Sequence, residues 1–165
     1  MLQWAFRRLY HELAWCYDLV AALVSGGHWS RWIRAAVPFL GDGPVLELGC
    51  GTGYLQLALA RTGTRHVGCD ASRQMLRQAK RRVRRAGFVP RLIRGQVQRL
   101  PFPPSTFGDV VATFPAPYVV KSATLAEVRR VLRPGGQLLI VDGGRLETGG
   151  MGEAAVDAVF RATLQ

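Results

Sequence analysis

The chain has 165 residues, 48% hydrophobic and 20% charged, with a formal net charge of +11 from 22 Lys and Arg against 11 Asp and Glu, which suits one folded domain and excludes a disordered polyelectrolyte. Its longest run free of strong polar breaks, Leu13 to Val24, is interrupted by Asp18 and too short to span a bilayer, and Arg7, Arg8 and Glu12 in the first apolar stretch argue against a signal peptide. Three widely spaced cysteines (Cys16, Cys50, Cys69) fit neither a disulfide framework nor a zinc site, so a soluble cytoplasmic domain without a metal is expected.

In chain order, Leu2, Phe6, Leu9, Leu13, Cys16, Val20 and Leu23 recur at alternating steps of four and three and predict an amphipathic helix over residues 2–24. Ser25-Gly26-Gly27 stops it, and a second helix is expected from Ser30 to Leu40, closed by Gly41-Asp42-Gly43-Pro44. Residues 1–40 thus read as a helical cap, and 41–165 as the rest of a single domain. From there short apolar runs alternate with helical patterns. Strands are expected at Val45–Leu48, Arg65–Cys69, Arg91–Arg94, Asp109–Thr113 and Gln137–Val141. Helices are expected at Tyr54–Thr62, Ser72–Ala86, Leu125–Leu132 and Met151–Leu164. Strands joined by crossover helices require a mostly parallel sheet, so the fold class is a Rossmann-like, doubly wound α/β domain.

The charge is uneven. No acidic residue lies between Asp70 and Asp109, whereas Arg73, Arg77, Lys80, Arg81, Arg82, Arg84, Arg85, Arg91, Arg94 and Arg99 do. Three partners could use an Arg77–Arg85 helix face: an anionic membrane, a nucleic acid or another protein. A solvated outer face is the plain alternative, and the use of twenty Arg against two Lys suggests a compositional bias.

The most informative stretch is Val45-Leu-Glu-Leu-Gly-Cys-Gly-Thr-Gly53. An apolar strand runs into Gly49, Gly51 and Gly53, which let the backbone turn tightly and approach a ligand without a Cβ in the way. The spacing G-x-G-x-G differs from the G-x-G-x-x-G of dinucleotide sites, which disfavours an NAD-linked oxidoreductase. Seventeen residues after Gly53 the second strand ends at Asp70, where a carboxylate can accept from ribose hydroxyls. Loop and acid together point to an adenosine-containing ligand.

Glu47–Gly53, Asp70-Ala-Ser-x-x-Met75, Leu100-Pro-Phe102 with Phe107–Val111, and Val128–Leu139 together resemble the class I S-adenosylmethionine-dependent methyltransferases. The nearest likeness is to the small-molecule branch that includes quinone-biosynthesis C-methyltransferases. Tyr17-Asp18-Leu-Val and His28-Trp-Ser-Arg-Trp32 are similar to the cap of that branch. The resemblance implies that Gly49, Cys50, Gly51 and Gly53 line the methionine and ribose portions of S-adenosyl-L-methionine. It implies that Glu47 holds the loop or the ligand's ammonium, that Asp70 takes the ribose hydroxyls, and that Ala71 and Met75 cover the adenine. Gln96 and Val97 stand where the family has Asp-Ala; an amide in place of the acid would cost about 1 kcal/mol of affinity. Phe114 would lie beside the methyl donor, and Tyr17 would close the site from the cap.

Displacement at a sulfonium methyl needs alignment more than acid–base machinery, which agrees with the absence of any triad in the sequence. Of the three histidines, His28 is the candidate general base; His11 is weaker and His66 reads as structural. Phe114-Pro-Ala-Pro-Tyr118 echoes the Asn/Asp/Ser-Pro-Pro-Tyr/Phe of amine-methylating relatives but lacks the polar first residue. The expected acceptor is therefore a small or lipophilic molecule. Two alternatives stand beside it: a nucleic-acid (RNA) methyltransferase, and a non-catalytic S-adenosylmethionine-binding regulatory or partner protein. The C-terminal β-hairpin of this class is expected to be missing, which would leave the fifth-strand edge open for self-association as a homodimer.

Overall fold

The computed structural model describes residues 17–142. Helices α1 (Tyr17–Val24) and α2 (Trp29–Arg34) and a 3-10 turn (Val37–Phe39) lead into the sheet. Then follow β1 (Val45–Leu48), α3 (Tyr54–Arg61), β2 (His66–Asp70), α4 (Arg73–Arg85), β3 (Leu92–Arg94), β4 (Phe107–Thr113), a 3-10 turn (Pro117–Val120), α5 (Ser122–Val131) and β5 (Leu132–Val141). The strand order is β3-β2-β1-β4-β5 with every neighbouring pair parallel, the doubly wound arrangement that the alternation of patterns predicts. None of the described helices is long and apolar enough to cross a membrane.

Strand periodicity divides the core. Leu46, Leu48, Val110 and Ala112 face one layer with Val128 and Val131 of α5. Val45 and Val111 face the other, against Leu55, Ala58 and Leu59 of α3 and Ile33 and Ala36 of the cap. All four residues of β1 are buried, as a central parallel strand requires.

Two elements depart from expectation. The helix expected from Ser30 to Leu40 breaks after Arg34, because Pro38 supplies no N–H and the chain tightens instead into the 3-10 turn. The strand expected from Gln137 begins at Leu132: Phe107 pairs with Leu132 and Asp109 with Gln137, so the Pro134-Gly135-Gly136 turn is a bulge inside β5. Gly135 takes φ +78°, and a Cβ on Gly136 would lie 2.5 Å from the Gly108 carbonyl oxygen, so only glycine fits the bulge. The first turns of the expected 2–24 helix, His11, the Met151–Leu164 helix and the question of a C-terminal hairpin all lie outside the described residues, and with them the covering of the β5 edge.

Candidate functional site

Strand order reverses between β1 and β4, and ligands of open α/β sheets bind at the carboxyl ends of the strands beside such a reversal. There β1 gives way to a turn in which Gly49, Gly51 and Gly53 all take left-handed conformations, at φ +68°, +49° and +83°. Among the described residues, a Cβ on Gly51 would meet nothing closer than the Gly49 carbonyl oxygen at 3.9 Å, so within them that side of the turn presents bare backbone. At Gly49 the corresponding space is taken by the Tyr118 hydroxyl, and at Gly53 by Ala79 of α4.

Asp70, at the end of β2, holds this turn. Its Oδ2 accepts from the Gly51 N–H at 2.9 Å and its Oδ1 from the Ser72 N–H at 2.7 Å. Ser72 Oγ in turn accepts from Met75 N–H and caps α4. One carboxylate therefore joins the glycine turn to the start of the next crossover helix. A backbone cradle beside an acid at the end of β2 fits a nucleoside.

Beneath the turn Glu47 is 1% exposed. It accepts from Gln56 Nε2 at 2.7 Å, while Gln56 Oε1 has no partner among the described residues. Burial pushes the Glu47 carboxyl up to about 8, with the Asp70 charge adding to the rise and the Gln56 hydrogen bond opposing it. The group is therefore mostly protonated at neutral pH. A carboxyl whose pKa is raised by folding stabilises the folded state fully below its unfolded value of 4.5, and that contribution disappears as pH rises through about 8. Glu47→Gln is expected to abolish this loss. Between pH 5 and 8 the melting temperature of the wild type should fall relative to that of the variant, and parallel pH profiles would contradict the assignment.

The residues implied by the family resemblance separate by exposure. Gly49, Gly51, Asp70 and Phe114 are half-buried around the cleft, and Ala71 and Gln96 are exposed. Gln96 follows Gly95, whose N–H donates to the Asp70 carbonyl at 3.1 Å, so the turn after β3 lies beside β2's end. Glu47, Cys50, Gly53, Met75 and Val97 are buried. Met75 in particular packs inward with Leu76, Ala79 and Val83 of α4 and presents no surface to a ligand. Tyr17 is the first described residue of α1, but its side chain lies outside those described.

Beyond β4, Phe114 takes φ +46°, a strained conformation for a bulky side chain that costs about 1–2 kcal/mol. Its ring lies 4.5 Å from that of Trp29 and 6.1 Å from that of Trp32, and His28 stacks on Trp32 at 6.5 Å. The cap thus sets an aromatic cluster at the end of β4. Sequence reasoning does not single out Trp29, Trp32 and Tyr118 as site residues. Their signals were present, in the His28–Trp32 cap motif and the Pro-x-Pro-Tyr turn, but neither says which strand end it faces. His66 is remote from this cleft: Nδ1 lies 2.7 Å from the Thr64 carbonyl, and burial lowers its pKa.

A family profile described as a methyltransferase domain matches residues 45–136. The demethylmenaquinone methyltransferase of Symbiobacterium thermophilum is 32% identical over 145 residues, covering 82% of this chain and 58% of that protein. That of Beutenbergia cavernae is 36% identical over 138 residues, covering 81% and 56%. The chain therefore spans little more than half the length of these relatives. The geranyl diphosphate C-methyltransferase of Streptomyces coelicolor A3(2), solved with S-adenosyl-L-homocysteine, shares the fold at a TM-score of 0.59 and 22% identity, over 67% of this chain and 44% of that one.

Proposed function

The chain belongs to the methyltransferase-domain family, the class I S-adenosylmethionine-dependent methyltransferases, and from that premise we propose that it methylates a small, lipophilic aromatic acceptor seated against Trp29, Trp32 and Phe114. The observation that carries this reading is the aromatic cluster at the carboxyl end of β4, across the reversal point from the glycine turn. Where amine-methylating relatives use a polar residue, this cleft has Phe114, which can pack against a ring but cannot accept from an amino group. The names of the two bacterial relatives, both acting on a demethylated quinone, support the same acceptor class.

S-adenosyl-L-methionine, when bound, supplies a methyl group already activated on a sulfonium. Gly51 offers the open backbone against which the ligand rests, and Asp70 orients the ribose hydroxyls while keeping the turn in shape. The tryptophans and Phe114 exclude water and align the acceptor face, which is the main requirement for displacement. His28, whose ring stacks on Trp32, is the candidate base if the acceptor is a hydroxyl or an activated ring carbon that must lose a proton.

A lipophilic acceptor has to be drawn from a membrane, and the exposed arginine face suits that task for a cytoplasmic enzyme. On the helix, Arg77, Lys80, Arg81, Arg84 and Arg85 are exposed, and each that lies near an anionic surface would contribute roughly 1 kcal/mol. The test is transfer of a labelled methyl group to a hydroquinone held in anionic or in zwitterionic vesicles. Transfer should be faster from anionic vesicles, and Phe114→Ala should lower kcat/KM about tenfold, the size of one aromatic contact. Methyl transfer confined to RNA or protein fractions of a cell extract would overturn the acceptor assignment.

A further inference from the structure

Arg82 is the one cation of the arginine run that is not exposed. Its guanidinium donates to the Thr52 carbonyl, forms an ion pair with Asp18 of α1 and lies 3.7 Å from the centroid of the Tyr54 ring. Asp18 uses its other oxygen to accept from Thr52 Oγ1 at 2.7 Å. Thr52 is 3% exposed and stands between Gly51 and Gly53. The glycine turn is thus gripped on two sides: Asp70 holds the Gly51 N–H, while Asp18 and Arg82 hold both the hydroxyl and the carbonyl of Thr52.

We propose that Asp18, Thr52 and Arg82 form a latch that couples docking of the N-terminal helix to the shape of the glycine turn, making Asp18 and Arg82 positioning residues for the cofactor. Neither side chain needs to touch the ligand. Three left-handed glycines leave the turn many alternative conformations, and a ligand that binds only one of them loses affinity in proportion to the others. The latch removes those alternatives, and it also sets α1 against the turn. A planar guanidinium is required because it serves a carbonyl, a carboxylate and an aromatic face together, which an ammonium cannot do with the same geometry.

The coupling to ligand rests on the methyltransferase reading, so the experiment has two readouts. The first is calorimetric affinity for S-adenosyl-L-homocysteine in the wild type, Asp18→Asn, Arg82→Gln, the double variant, Arg82→Lys and, as a control, Arg61→Gln. Each latch variant should weaken binding about tenfold, the double variant no more than either single one, and Arg82→Lys by an intermediate amount. The wild-type affinity should decline with added salt, and that of Asp18→Asn should decline less. Arg61→Gln should bind as the wild type does. The second readout is hydrogen exchange without ligand, in which Asp18→Asn and Arg82→Gln should speed exchange in residues 17–24 and 51–57 together.

A wild type that binds while Asp18→Asn binds equally well, with the same salt response, overturns the latch. So do additive losses accompanied by a matching fall in melting temperature, which would mark general destabilisation. A wild type that does not bind at all overturns the methyltransferase reading instead. The exchange experiment still decides the latch in that case: acceleration in both segments supports it, and unchanged exchange overturns it.

Discussion

Asp70→Ala is expected to lower affinity for S-adenosyl-L-homocysteine about 100-fold and to destabilise the fold by about 2–3 kcal/mol. Two independent losses add. The carboxylate accepts from Gly51 N–H and Ser72 N–H, and charge-assisted bonds of this kind contribute about 1.5–3 kcal/mol each before the freed donors find water. Under the proposed function the same group would also accept from ribose hydroxyls at the end of β2. Asp70→Asn separates the two roles. Its carbonyl oxygen can keep one backbone bond, so its stability should lie between wild type and alanine, while its affinity should stay low because the charge is gone. Titration calorimetry and thermal melts of the three proteins check this. An alanine variant within threefold of wild-type affinity would remove Asp70 from the site.

The second large effect concerns packing. Gly53 combines φ +83° with a neighbour, Ala79, whose Cβ and Cα would lie 2.7 and 2.9 Å from an added Cβ. Gly53→Ala is therefore expected to cost about 3 kcal/mol: roughly 1–2 for the left-handed backbone and the rest for crowding against α4. For a domain of this size that is a fall of roughly 10 °C in melting temperature. Gly63 isolates the first contribution, because at φ +74° an added Cβ meets nothing within 4 Å among the described residues. Gly63→Ala should cost only the backbone share. If the two variants melt at the same temperature, the close approach of α4 to the turn is not rigid. The Gly53 variant should also lose ligand affinity, since pushing α4 away moves Arg82 from Thr52; the Gly63 variant should not.

Much of this was legible along the chain because it depends on neighbours in sequence. The alternation of Val45, Leu46, Glu47 and Leu48 with helical stripes such as Met75, Leu76, Ala79 and Val83 sets the element order, and parallel strands with crossover helices follow from it. The glycine turn and the acid after β2 are likewise local patterns. Boundaries near Pro38 and the Pro134-Gly135-Gly136 bulge were less legible: the first depends on where a helix gives way to a tighter turn, the second on pairing with β4.

The sequence by itself determined the sheet, the cradle and its acid, because backbone freedom at glycine and side-chain period act over a few residues. It could not decide what the charged and aromatic residues do. Arg82 flanks the buried stripe of α4 and reads as one more solvated cation until packing places Asp18, 64 residues away, opposite it. Trp29 and Trp32 read as cap residues until the cap lies over β4 and meets Phe114. Glu47 reads as a charged loop anchor until burial in β1 raises its carboxyl to about 8. In each case the deciding quantity is a long-range neighbour or the loss of water, which only the tertiary structure supplies.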